Sequence, residues 1–202
     1  MNKEGLKIVI SGPSGSGKGT IVNKLIENEN SIVSISATTR KPRVGEVDGK
    51  HYFFRSKEDF EEMIRNNELL EYARFCDNYY GTPKKFVEDT TASGKNIILE
   101  IEVEGALQVK EIYPEAVFIF VIPPSLEELR QRLIDRQTET IDVIDKRLSR
   151  AKEELPYYKE YDYLVVNDDI DSAVTSIENI INCEMQKSSN FKKQIESMIK
   201  ER

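Results

Sequence analysis

The chain of 202 residues has one histidine, His51, two cysteines, Cys76 and Cys183, and no tryptophan. A single histidine excludes a multi-histidine metal centre and strains any Ser-His-Asp hydrolase reading. The two cysteines lie far apart and match no metal-ligand spacing, so both are expected to be reduced thiols of a cytoplasmic protein. The longest apolar run, 116–122, is far too short to span a bilayer. The first six residues carry charge and no apolar stretch, so no signal peptide is expected. With 10 Gly and 7 Pro the chain is neither collagen-like nor low in complexity, and no repeat or flexible linker divides it. Basic residues are outnumbered, 29 Lys and Arg against 36 Asp and Glu, and form no long stripe. A net charge of -7 makes a poor general nucleic-acid binder. The 39% of hydrophobic residues suits one folded core, which at this length buries roughly 70% of the unfolded chain's surface.

The periodic signals alternate between strand and helix. Strands are predicted at 6–10, 31–35, 69–75, 96–102, 117–122 and 163–166. Between them, helices are predicted over 20–26, after Ser56, after Pro83, over 106–109, after Ser125, along Ile141, Ile144, Leu148, Ala151 and Leu155, and over 170–185. Ser56 with Asp59 and Ser125 with Glu128 have capping-box spacing. The β-branched and aromatic run 117–122 has the composition of a strand buried on both faces of a parallel sheet. Beyond Lys187 the tail is polar and expected to be a frayed helix. This alternation implies an α/β fold with a mainly parallel sheet and helices on both faces. Two segments break the rhythm: 36–86, a long polar loop with short strands, and 126–155, two arginine-rich helices.

The strongest chemical signal is Gly12-Pro13-Ser14-Gly15-Ser16-Gly17-Lys18-Gly19-Thr20, between a strand and a helix. In that context a glycine-rich loop presents backbone N–H groups and a helix N-terminus to phosphates, and Lys18 neutralises their charge. Gly19 stands where the strict pattern has Ser or Thr, so either Thr20 or Ser16 would help hold Mg²⁺, directly or through water. Arg40 and Arg43 either fork onto a phosphate, with Tyr52 adding a hydroxyl, or form a solvated basic loop. Glu71 with Thr82 suits reading of a base edge, although Glu71 is equally an ordinary strand residue. The nearby Tyr79 and Tyr80 either join the site or pack. Glu100 and Glu102 are expected on one face of a strand end, where α/β folds bind ligands. Arg132 and Arg136 share a helical face, as do Arg147 and Arg150; Arg130 and Arg150 read as surface ion-pairing residues. Asn167-Asp168-Asp169 is either a helix cap or part of a nucleotide site.

In order and spacing the set resembles the guanylate kinase family. Its marks are 11–20, Thr38-Thr39-Arg40 with Arg43-Val44-Gly45-Glu46, Asp48-Gly49 with Tyr52-Phe53-Phe54, 78–83, Glu104-Gly105-Ala106, 136–139, and Tyr161-Asp162-Tyr163 with Val166-Asn167-Asp168. The resemblance implies a P-loop kinase core at 1–35, 87–125 and 156–202, a GMP-binding insertion at 36–86 and a helical lid at 126–155. It implies transfer of the γ-phosphoryl of ATP to GMP with Mg²⁺, and dGMP as a further acceptor, with neither nucleic-acid nor membrane partners. The 12–20 loop, with Lys18, and Asn167 would hold ATP. Ser36, Arg40, Arg43, Tyr52 and Tyr80 would hold the GMP phosphate. Glu71 and Thr82 would read guanine, assisted by Glu100 or Glu102. Arg132, Arg136 and Arg147 would close over the transferring group, and Thr20 would assist Mg²⁺. Three positions depart from the family pattern: Glu102 for Asp, Glu104 for Gln, and Gln137 for Gly after the lid arginine. A kinase of another nucleoside monophosphate and a non-catalytic phosphopeptide-binding scaffold are the alternatives. Glu71 with Thr82 argues against the first, and the intact loop with Lys18 against the second.

Overall fold

The computed structural model of the chain describes residues 4–27, 30–75, 77–135 and 140–200. Five strands form a parallel sheet: β1 (Lys7–Ser11), β2 (Ser31–Val33), β7 (Asn96–Glu100), β8 (Val117–Ile122) and β9 (Tyr163–Val166), in the order β2-β7-β1-β8-β9. Both β1 and β8 are interior, and β8 is buried on both faces from Val117 to Val121, as its unbroken apolar run implies.

Each sheet face has its own core. On one, Ile8 and Ile10 pack with Ile21, Val22 and Leu25 of α1 (Lys18–Leu25) and with Ala173, Ile177 and Ile181 of α7 (Ile170–Met185). On the other, Val9, Ile97 and Leu99 meet Val87 of α3 (Lys84–Ala92) and Ala106 and Val109 of α4 (Val103–Ile112). Alternation of side chains along β1 is what splits the apolar set between two helical layers.

Residues 36–86 hold a second sheet, ordered β4-β3-β6-β5, from β3 (Ala37–Thr38), β4 (Phe53–Phe54), β5 (Leu69–Phe75) and β6 (Asn78–Pro83). Its small core is Ala37, Phe60 and Leu69, with Phe60 supplied by α2 (Lys57–Arg65). Ser56 caps α2 by accepting from the Asp59 N–H at 3.0 Å. Another separate core, Leu129, Leu133, Ile144 and Ala151, joins α5 (Leu126–Asp135) to α6 (Ile141–Glu154). Ser125 caps α5 through the Glu128 N–H at 3.0 Å.

Two expectations are corrected. The strand predicted at 96–102 stops at Glu100, and Glu102 is instead the N-cap residue of α4, because the chain turns at Ile101 once its N–H has bonded to Ile10. Leu155 leaves the α6 stripe for a 3₁₀ turn, Leu155–Glu160, whose second residue is a proline. Past Lys187, where a helix is expected, the chain forms a 3₁₀ turn and then α8 (Lys192–Lys200), with Ile195, Met198 and Ile199 exposed. Among the described residues no helix is long and apolar enough to cross a membrane. Cys183 is a free, exposed thiol, and Cys76 lies outside the described residues.

Candidate active site

The 12–20 loop leaves the C-terminal end of β1, where the sheet's connections diverge, and opens α1. Two of its glycines are dictated by neighbours. At Gly12, with φ of 145°, a Cβ would lie 2.0 Å from the Val121 carbonyl oxygen. At Gly17, with φ of 94°, it would lie 2.2 Å from Nδ2 of Asn167. That Nδ2 donates to the Ser16 carbonyl at 2.8 Å, so Asn167 ties the end of β9 to the loop. The side chain of Asn167 is thereby committed to the loop backbone. The three-residue turn divides its work, since Asp169 caps α7 by accepting from the Ser172 N–H at 2.9 Å.

Lys18 is buried, not the exposed loop lysine that its setting suggests. Its ammonium donates to the carbonyls of Gly12 and Pro13, the latter at 3.2 Å. Ser16 Oγ is buried with no hydrogen-bond partner. Beside the loop, a Cβ on Gly19 would stand 3.4 Å from Oε1 of Glu100. Glu100 is open to solvent on one side, and packing on the other raises its carboxyl; nearby Glu102 raises it further, while Lys18 pulls it down. Thr20 lines a cleft of about 440 Å³ together with Gly15, Gly17, Arg132, Asn167, Asp168 and Ile170 among others.

Helices α5 and α6 reach this cleft and its loop. Arg132 donates to the Asn167 carbonyl at 2.9 Å and is braced by Glu128 at 2.8 Å. Arg147 donates to Ser14 Oγ at 3.1 Å, bringing α6 onto the loop. Arg136 and Gln137 lie outside the described residues. Arg130 pairs with Asp145, and Arg150 with Glu154, the surface ion pairs expected of them.

The other half of the site lies on the second sheet. Arg40 forks onto Glu46 through two bonds of 2.9 and 2.8 Å, donates to the Lys41 carbonyl and lies beside the Tyr80 side chain. Its guanidinium lies 5.3 Å from the Tyr52 ring centroid, and Tyr52 and Tyr80 meet edge to face. Arg40, with the Arg43 N–H, holds the Glu46 carboxyl down at about 2. Arg43 itself is exposed, and Ser36, half-buried, accepts from the Phe53 N–H through its carbonyl. Glu46, with no role evident in the sequence, stands three residues after Arg43 and six after Arg40, and that spacing is the signal that marks it as their partner. The two tyrosines divide as well: Tyr79 stacks on Phe60 at 5.3 Å, while Tyr80 joins Arg40.

Glu71 is 8% exposed on β5, and Thr82, fully buried on β6, donates to its Oε1 at 2.7 Å. Burial raises the Glu71 carboxyl and the Thr82 bonds oppose the rise. Thr82 therefore gives its only proton to Glu71; here it orients the carboxylate and does not offer a donor to a base. The candidate site residues thus gather into the 12–20 loop with its buried lysine, the buried Glu71–Thr82 pair beside α4, and the arginine–tyrosine cluster of the second sheet. Among the described residues no group of three or more His, Cys, Asp or Glu could hold a metal by itself.

Comparison with known proteins places this geometry among relatives. A profile of the guanylate kinase family matches residues 4–184. The guanylate kinase of Clostridioides difficile is 54% identical over 200 residues, covering 98% of each chain. That of Caldanaerobacter subterraneus is 56% identical over 185 residues, 91% of this chain and 90% of the relative. Among solved structures, guanylate kinase from Anaplasma phagocytophilum is similar with a TM-score of 0.72 at 37% identity, covering 92% of this chain and 88% of that one.

Proposed function

The chain belongs to the guanylate kinase family, and on that premise we propose how its residues serve the family's reaction. That reaction transfers the γ-phosphoryl of ATP to GMP, giving ADP and GDP, and the protein is an ATP:GMP phosphotransferase. Phosphoryl transfer asks little covalent chemistry of a protein and much positioning and charge neutralisation. The GMP phosphate is itself an anionic nucleophile, so no strong general base is needed. The lone histidine is no obstacle.

Residues 12–20 hold the ATP phosphates on backbone N–H groups at the N-terminus of α1, and Lys18 follows the transferring group. The adjoining cleft takes the nucleoside, with Asn167 shaping the loop beneath it and Arg132 on its wall. Arg147, already on Ser14, and Arg136 neutralise the group in flight and exclude water once the lid closes. Ser36, Arg40, Arg43, Tyr52 and Tyr80 hold the GMP phosphate. Glu46 keeps Arg40 aligned until a phosphate competes for it, which the bidentate pairing supports. Glu71 reads guanine N1–H and the N2 amine, with Thr82 steadying it. Glu100 or Glu102 completes the acidic end of the site.

The family's use of ATP implies a divalent cation, and the residues fit one. Ser16 Oγ is buried and unpartnered, and Glu100 supplies a hard oxygen beside Gly19. On that basis Glu100 and a hydroxyl of Ser16 or Thr20 would help hold Mg²⁺, directly or through water, and the ion, when bound, would neutralise phosphate charge. The division into a core at 1–35, 87–125 and 156–202, an acceptor insertion at 36–86 and a lid at 126–155 is proposed on the separate small cores of the last two. A cytoplasmic location suits a chain expected to keep its thiols reduced. Because only base and phosphate are read, dGMP is a second acceptor.

The observation that carries the reading of the acceptor is Glu71, an acceptor-only group held by Thr82 in a buried site. Adenine would set its bare N1 lone pair against that carboxylate and leave buried polar groups unpaired. A coupled assay of ADP formation with each nucleoside monophosphate tests this. GMP is expected to exceed AMP by about 10⁴ in kcat/KM; comparable rates with AMP would reject the role of Glu71.

A further inference from the structure

Between the two halves of the site runs α4, and two of its residues touch the strand that carries Glu71. A Cβ on Gly105 would lie 2.9 Å from Oε2 of Glu71 and 3.3 Å from its Cγ and Cδ. One turn later, Gln108 Oε1 accepts from the Tyr72 N–H at 3.2 Å and its Nε2 donates to the Tyr72 carbonyl at 3.3 Å. The amide of Gln108 thus pairs with the backbone of β5 as one more strand would, on the edge that β6 leaves open. Leu70, the residue on the other side of Glu71, is buried in the core face that α4 covers.

The helix itself gives no reason for glycine at 105. Gly105 lies inside α4, is not among the residues with positive φ, and alanine is the better helix former. What the missing side chain provides is room for a carboxylate. Glu71 Oε1 is fixed by Thr82 and Oε2 lies over Gly105, so both oxygens are positioned from opposite sides.

We infer that Gly105 and Gln108 are specificity-determining positioning residues: α4 is the seat that aims Glu71 at the acceptor base. The inference rests on the proposal that Glu71 reads guanine. A methyl group at 105 meets the far end of a flexible side chain, so the fold accommodates it and Glu71 turns aside. Hydrogen bonds weaken steeply with misalignment, so the loss falls on base recognition. Removing the Gln108 amide frees Tyr72 and lets the strand carrying Glu71 drift from α4.

The test measures kcat and KM for GMP, AMP and ATP, with thermal midpoints, in Gly105→Ala, Gln108→Met and Glu71→Gln. For Gly105→Ala the midpoint should hold or rise, since alanine favours the helix. Its GMP-to-AMP ratio of kcat/KM should fall on the order of tenfold or more, through loss of an aligned charge-assisted bond. Gln108→Met keeps side-chain length and should raise KM for GMP about fivefold, with saturated kcat and KM for ATP changed by less than about twofold. Faster amide exchange at Tyr72 should accompany it. Wild-type GMP affinity and base ratio in both α4 variants, while Glu71→Gln loses them, would overturn the inference and leave the role of Glu71 standing. If Glu71→Gln also keeps the wild-type ratio, it is the role of Glu71 that fails, and the inference with it.

Discussion

With its ammonium on the carbonyls of Gly12 and Pro13, Lys18 braces the loop in addition to the phosphate role proposed for it. Lys18→Ala removes a charge that accompanies the phosphoryl group, and loss of one such contact typically costs about 10²–10³ in turnover. It also strips two carbonyls of a buried donor, so stability should fall by about 1–3 kcal/mol. Steady-state rates and thermal unfolding check both; near-normal turnover in a folded variant rejects the role. Glu71 offers a pH test. Its carboxyl is raised above its ordinary 4.5, chiefly by burial, so the folded state favours the protonated form. A raised acid destabilises the fold as pH climbs through the shifted value, and relief comes below it. Guanine's donors need the ionised form, so kcat/KM for GMP should fall with decreasing pH, beginning above 4.5. The GMP phosphate, whose second ionisation lies near about 6, adds a limb of its own. Glu71→Gln should keep the phosphate limb and lose the other; identical profiles would reject the assignment. Glu46 runs the opposite way, since its carboxyl, held at about 2 by Arg40, contributes stability above 4.5 that is lost as pH falls toward 2.

Loops and helices were unevenly legible. Strands β8 and β9 and helix α7 fall where apolar pattern alone sets them, because long runs buried in one sheet leave a periodic trace. Strands β3 and β4 are two residues each and have no period to detect, and β6 carries Gly81 and Pro83, which lower its strand propensity. Lys18's burial, Thr82's commitment to Glu71 and the Arg40–Glu46 fork depend on neighbours distant in the chain or on side-chain geometry, so spacing could not supply them. The lid shows how far a motif goes. Arg132 and Arg147 were legible as cations sharing helical faces with Arg136 and Arg150, but only the packing brings Arg147 to Ser14. Arg147→Ala should lower kcat more than it raises KM for GMP, as expected of a contact made to the transferring group. Equal effects on both, or an effect on KM alone, would count against that role. Asn167→Ala should loosen the loop by removing the donor to Ser16, costing about 1–3 kcal/mol and raising KM for ATP.

Two small cores, one in the 36–86 segment and one between α5 and α6, stand apart from the two that sandwich the main sheet. Bodies with their own cores can move against each other without repacking, which is what closure over two substrates requires. ATP and GMP joined in a bisubstrate analogue should therefore reduce the radius of gyration more than either nucleotide alone. Solution scattering reads this, and an unchanged radius would argue against a large closure. The parallel sheet has a further consequence, for the order in which the chain is made. Ile8 of β1 pairs with Ile98 and Val117, so the strand that carries the phosphate loop emerges first and waits longest for its neighbours. β5 and β6, by contrast, are only two residues apart in the chain and can pair as soon as they appear. At roughly 5–20 residues per second of synthesis, an apolar strand with both edges open persists for seconds on the ribosome. The second sheet can then pair before the 12–20 loop gains its neighbours from β7 and β8, and slow elongation between residues 83 and 122 would lengthen the interval in which β1 can find the wrong partner.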